Sequence, residues 1–181
     1  GTSYIDDFEG SVSTIDLRTQ SLWFHSAIPQ GLPDVFLNGD LVDDPSSGFR
    51  RAQIAWYVID PLFFRNNNLT PPNINSTIQS DNRMRQVLEQ EVFPNRQLPA
   101  GTPANIPVLD LSYYPDERGP YNYTTNLTAD GELFQPEENW AAITRRITTT
   151  DFETSNIETI QFWVMDPFYN ASNSAGEPAT N

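Results

Sequence analysis

The strongest apolar run lies near the C-terminal end. In residues 157–168, Ile-Glu-Thr-Ile-Gln-Phe-Trp-Val-Met-Asp-Pro-Phe, the positions Ile160, Phe162 and Val164 share one face of an extended strand, and Trp163 and Met165 share the other. A strand apolar on both faces needs cover on both. The pattern therefore predicts a central strand that stops at Asp166 and Pro167, where proline removes a ladder donor. The same pattern occurs earlier: Ile54-Ala-Trp-Tyr-Val-Ile-Asp-Pro-Leu62 aligns without a gap on Ile160-Gln-Phe-Trp-Val-Met-Asp-Pro-Phe168. Asp60 and Pro61 coincide with Asp166 and Pro167, and Val58 with Val164. This echo fits an internal duplication or, more simply, two buried strands that end alike.

Other periodicities are shorter. Alternation predicts strands over residues 4–10, 22–28, 108–114 and 142–149, with a further short one around Ile15 and Leu17. Met84, Val87, Leu88 and Val92 recur at three- and four-residue spacing, which predicts one helix over 80–92, capped by Ser80 or Asp81 and stopped by Pro94. Pro136 opens a single helical turn before Trp140. Between these elements, residues 32–49, 66–75 and 98–107 read as loops, and residues 115–122 as a sharp turn. The expected fold is mainly β: a two-layer, jelly-roll-like β-sandwich with one short packed helix, because only one segment could serve as a helical crossover. Residues 1–169 read as a single domain and 170–181 as a mobile tail. The strongest strand comes so late that the domain is expected to be an excised piece, incomplete at its C-terminal end.

Composition narrows the partners. Ten basic residues, all arginine, face twenty-four acidic ones, for a formal charge of -14. That balance excludes a phosphate backbone as the natural partner and suits an acidic solvated surface or carboxylates around a cation. Cysteine is absent, so no disulfide or thiolate site exists. No run is long and apolar enough for a transmembrane helix.

Candidate chemistry is sparse. The one histidine, His25, has no second histidine or cysteine to make a zinc site, and reads as structural. Asp6, Asp7, Glu9, Asp60 and Asp166 could supply a carboxylate pair only by abundance, so no catalytic residue is assigned and no enzyme is expected. Calcium fits the opening better: Asp6-Asp-Phe-Glu9 offers hard oxygen ligands, with Asp7 and Glu9 on one face, although the bland reading is a solvated strand end. No cofactor is required. Asn68, Asn75, Asn122, Asn126 and Asn170 match the glycosylation acceptor pattern, as asparagine-rich chains often do by chance. Arg118, among turn formers, is read as a buried fork donor tying loop carbonyls or Asp116 and Glu117 together, against the alternative of an exposed ion pair. Trp56, Trp140, Phe162 and Trp163 are read as core anchors. Trp140 and the nearby tyrosines could instead form a glycan-binding platform.

Several of these stretches resemble one family. They are Tyr4-Ile-Asp-Asp-Phe-Glu-Gly, Arg51-Ala-Gln-Ile-Ala-Trp-Tyr-Val-Ile-Asp-Pro, Tyr114-Pro-Asp-Glu-Arg-Gly-Pro-Tyr-Asn-Tyr, Asn139-Trp-Ala-Ala-Ile-Thr-Arg and Phe162-Trp-Val-Met-Asp-Pro-Phe. In this order they resemble the SprA/Sov family, the giant outer-membrane translocon proteins of the type IX secretion system of gliding and secreting Bacteroidetes. The resemblance implies a non-catalytic, cap-like insertion exposed at the cell surface, with protein transport and gliding motility as its context. It implies the remaining β-barrel, other translocon subunits and secreted cargo as partners, and no nucleic acid. The two-faced apolarity of the strongest runs suits an insertion better than barrel wall, which alternates between lipid and lumen. A glycan- or cargo-binding module, with or without structural calcium, is the alternative.

Overall fold

A computed structural model of the chain describes residues 18–41, 43–147 and 162–166. Six short strands run in order: β1 (Trp23–His25), β2 (Ala52–Tyr57), β3 (Val87–Leu88), β4 (Asn105–Ile106), β5 (Asp110–Arg118) and β6 (Ile143–Arg145). Two short helices, α1 (Ser76–Ser80) and α2 (Glu89–Val92), lie between β2 and β4. The six described strands pair antiparallel and in nested order: β1 with β6, β2 with β5, β3 with β4. The chain is β-rich with little helix, in separate two-stranded pairs. Among the described residues, no helix is long and apolar enough to cross a membrane. The chain divides into two compact units, one of Thr19–Tyr57 with Leu109–Thr148, the other of Gly1–Arg18, Val58–Val108 and Thr149–Asn181.

The first unit is built on β2 and β5. Opposed residues share a face, so Ile54, Trp56, Leu111 and Tyr113 form an apolar side, and Gln53, Ala55, Ser112 and Tyr114 the other. Register shifts between Ala52, opposite Arg118, and Gln53, opposite Tyr114. The extra residues of β5 form a bulge that holds Pro115, where a missing N–H costs the ladder nothing. Its exposed carbonyls are used: Pro115 O accepts from Asn139 Nδ2 at 2.8 Å and Asp116 O from the Leu133 N–H at 2.7 Å. Residues 115–118 therefore continue the strand that the prolines predict to end at Tyr114. The turn begins only at Gly119, whose N–H donates to Arg51 O at 3.0 Å. A Cβ on Gly119 would lie 2.2 Å from Ala52 O, so only glycine admits this approach. Ala52, Leu133 and Trp140 are the buried apolar residues here.

The second unit, over its described residues, is organised by turn chemistry. Asp60 ends the run after β2 by accepting the Leu62 N–H at 2.8 Å, with Pro61 opening a 3-10 turn over Pro61–Phe64. Asn75 caps α1 through the Ile78 N–H at 3.0 Å. The predicted helix over 80–92 is not continuous. Asp81 turns extended and accepts from the Arg83 N–H at 2.9 Å, a local bond that competes with helix. β-branched Val87 is buried and pairs with Ile106 as strand. Beyond Ser80, the last residue of α1, only Glu89–Val92 of that range is helical, where Glu91 reaches back to the Leu88 N–H at 2.9 Å. That hydrogen bond, helped by Arg85 and opposed by burial, holds the Glu91 carboxyl below its usual range.

The expected central strand is only partly visible. Residues 162–166 are not strand, and Phe162, Trp163 and Val164 are 69%, 73% and 75% exposed rather than covered as core. Trp163 meets Phe93 edge to face, ring centroids 6.4 Å apart. The first copy of the sequence echo is thus strand from Ile54 to Tyr57, within β2, and the described residues 162–166 of the second are not. The strands predicted over 22–28 and 142–149 shrink to β1 and β6, and the helical turn at Pro136–Glu138 forms as expected. Asp6, Asp7, Glu9 and Pro167, the strands predicted over 4–10 and near Ile15, and the tail at 170–181 lie outside the described residues.

Candidate functional site

The densest chemistry in the first unit gathers on Arg51, directly before β2. Arg51 is buried, and its Nη1 donates to Ser26 O at 2.6 Å. Its guanidinium carbon stands 4.6 Å from the ring centroid of Trp140, which is also buried. Phe36 meets the same indole edge to face at 5.5 Å. Burial lowers the Arg51 pKa from its ordinary value and the nearby Tyr121 phenol opposes that shift. The cation is accommodated because an aromatic face and a carbonyl replace its water.

The backbone around Arg51 joins three remote segments. Arg51 and Trp140 form a parallel bridge, with Ala52 N donating to Trp140 O at 2.8 Å and Trp140 N to Arg50 O at 2.9 Å. Arg50 forms an ion pair with Glu138. Asn122, 5% exposed, closes the third side: its Nδ2 donates to Arg51 O at 2.7 Å and to Phe49 O at 3.0 Å, and its Oδ1 accepts the Thr124 N–H at 3.0 Å. Every polar atom of that amide is engaged. The acceptor pattern at Asn122 is therefore a buried structural asparagine, not an open modification site.

His25 sits beside this node. Its ring meets Trp56 edge to face at 4.9 Å, and Trp56 Nε1 donates to Gln20 O at 3.1 Å. Burial, then the Arg51 charge, lowers the His25 pKa from its ordinary value. On β5, Tyr113 donates its hydroxyl to Asn139 O at 2.7 Å. Burial, then Asp116, pushes the phenol up.

The predicted site residues divide accordingly. Trp56 and Trp140 join the first unit's framework, while Asp60 and Pro61 make a cap in the second. Arg118 is exposed, and its Nη1 reaches Thr124 O at 3.3 Å. Arg118 thus ties one loop carbonyl without being buried, and the buried arginine is Arg51, held by one carbonyl and an aromatic face. Arg51 and Gly119 had no predicted role, and Asn122 only that of a glycosylation acceptor. The signal that could have exposed Arg51 is a charged residue abutting the most apolar early strand, where it must find a partner on burial. Among the described residues, no group of three or more His, Asp or Glu is placed to hold a metal ion. A groove of about 360 Å³ lined by Thr77, Ile78, Asp81, Arg83 and Met84 is shallow, and its two charged residues pair with each other.

No protein-family model matches the chain, and no curated protein sequence matches it.

Proposed function

We propose that the chain is a non-catalytic, cap-like extracellular domain of an outer-membrane protein translocon of the type IX secretion system, supporting protein secretion and gliding motility. One observation carries this reading. Three of the stretches that resemble the SprA/Sov family, those beginning at Arg51, Tyr114 and Asn139, converge on the Arg51 node through backbone and side-chain hydrogen bonds. The residues that make the stretches distinctive are used to hold one another. That is the signature of a framework, and it leaves no convergent acid, base or nucleophile among them. Within the first unit, the nested antiparallel pairs β1–β6 and β2–β5 suit a jelly-roll-like two-layer sandwich, in which outer strands pair with outer and inner with inner.

The test is surface labelling. The turn at Gly101 is open, with nothing within 4 Å of a built Cβ. An epitope inserted there in the full-length protein of a type IX-secreting bacterium is expected to bind antibody on intact cells. Labelling only after the outer membrane is permeabilised would overturn the reading.

A further inference from the structure

The turn after β5 spends its backbone and amide groups inward and its rings outward. Asn122 and Thr124 are buried and hydrogen-bonded, yet Tyr121 and Tyr123 are 69% and 65% exposed. Tyr121 has φ of 62°, at the third position of a turn closed by Asn122 N donating to Gly119 O at 3.3 Å. Glycine is the ordinary choice there, and a tyrosine is held in that conformation against its own preference. The surrounding structure over-determines it: Gly119 against Ala52, Asn122 on two carbonyls, and Gly48, whose built Cβ lies 3.0 Å from Tyr121 O. Strain kept by a rigid surround, at a side chain facing solvent, is a mark of a binding surface.

The chemistry left facing outward selects the partner. Thr124 Oγ1 accepts from Asn126 N, Thr124 O accepts from Arg118, and the Asn122 amide is saturated. With those groups turned inward, the two exposed phenol rings are the largest apolar faces the turn offers to a partner. The unit holding the turn carries eleven carboxylates against five arginines, and Asp116 and Glu117 lie exposed just before it. A cation is therefore drawn to the unit and received on an aromatic face.

We propose that Tyr121 and Tyr123 form a preorganised docking site for a basic protein segment, whose arginine or lysine side chains stack on the two rings. The probe is an acetylated Gly-Arg alternating octapeptide, titrated into the full chain by calorimetry, with a Gly-Ser octapeptide and a neutral hexasaccharide alongside. The variant pair is Tyr121→Gly with Tyr123→Ser, in which glycine suits the positive φ, so thermal melting should remain cooperative. The expected result is peptide binding weakened about tenfold in that pair and kept in Tyr121→Phe, with neither neutral probe bound. Binding that ignores the tyrosines would overturn the proposal as general charge attraction. Tyrosine-dependent binding of the hexasaccharide would replace it with a glycan site, and no binding of the basic peptide would end it. None of these outcomes touches the cell-surface placement, which epitope labelling reads separately.

Discussion

The two compact units are held together by different kinds of contact. Around Arg51, side-chain hydrogen bonds span from 25 to 85 residues of sequence: Arg51 to Ser26, Asn122 to Arg51 and Phe49, Arg50 to Gln135. In the unit containing Asp60 and Asn75, most are closed within six residues: Asp60 to Leu62, Asn67 to Leu69, Asn75 to Ile78, Asp81 to Arg83, Arg85 to Glu91. The first kind forms only once the chain has closed long loops, and each member fixes several others. The second kind sets one turn at a time. A lost contact should therefore spread through the first unit and stay local in the second.

The largest effect should come from Gly119→Ala. The new Cβ meets backbone oxygen, which has no flexible end to move aside. We expect a loss of about 3 kcal/mol or more, read by denaturant unfolding, with the tryptophan signal changing at low denaturant because Trp23, Trp56 and Trp140 lie in this unit. Unfolding like wild type would break the claim that the turn needs this approach. Asn122→Ala comes next. It removes a donor from Phe49 O and from Arg51 O, which keeps the Gly119 N–H, and takes away the acceptor of the buried Thr124 N–H, so it should cost about 2 kcal/mol.

Asn75→Ala, in the other unit, removes one cap and should cost about 1 kcal/mol. Hydrogen exchange should show the change confined to residues near α1. If protection falls equally around Arg51, the two units are not distinct in the way described.

The smallest effect is a pH dependence. His25 has a depressed folded pKa, so its contribution to stability is present above the unfolded value of about 6.5 and is lost as pH falls through the folded pKa. The depressed carboxyls, Asp44, Asp81 and Glu91, act at lower pH through their hydrogen bonds to neighbouring N–H groups. The melting temperature of wild type should thus fall on acidification below about pH 6.5, and His25→Phe should flatten that first decline. An unchanged profile in the variant would remove His25 from the account.

Much of the second unit was legible from sequence because its determinants are neighbours in the chain. Asp60 before Pro61 marks a stop, and the asparagine- and proline-rich stretch before α1 marks loop. Helical spacing misled over 80–92, since periodicity cannot tell that Asp81 will bond its own neighbour or that Val87 will find Ile106 as a strand partner. The first unit was less legible. Trp56 and Trp140 stood out as anchors, but the arginine read as buried, Arg118, is exposed, and the buried one is Arg51. Both are arginines next to apolar or turn-rich sequence, and burial alone separates them.

The sequence by itself determined the β-rich character, the positions of several turns and caps, the acidic surface and the lack of cysteine chemistry. These follow from side-chain alternation, local hydrogen-bonding capacity and charge, all of which act over a few residues or need no geometry. Only the tertiary structure decided that Arg51 lies over Trp140, that Asn122 is buried, that Pro115 sits within a bulge and that Gly119 touches Ala52. Those facts depend on which distant backbones meet. That choice is fixed by many weak long-range contacts at once, and no local pattern encodes it.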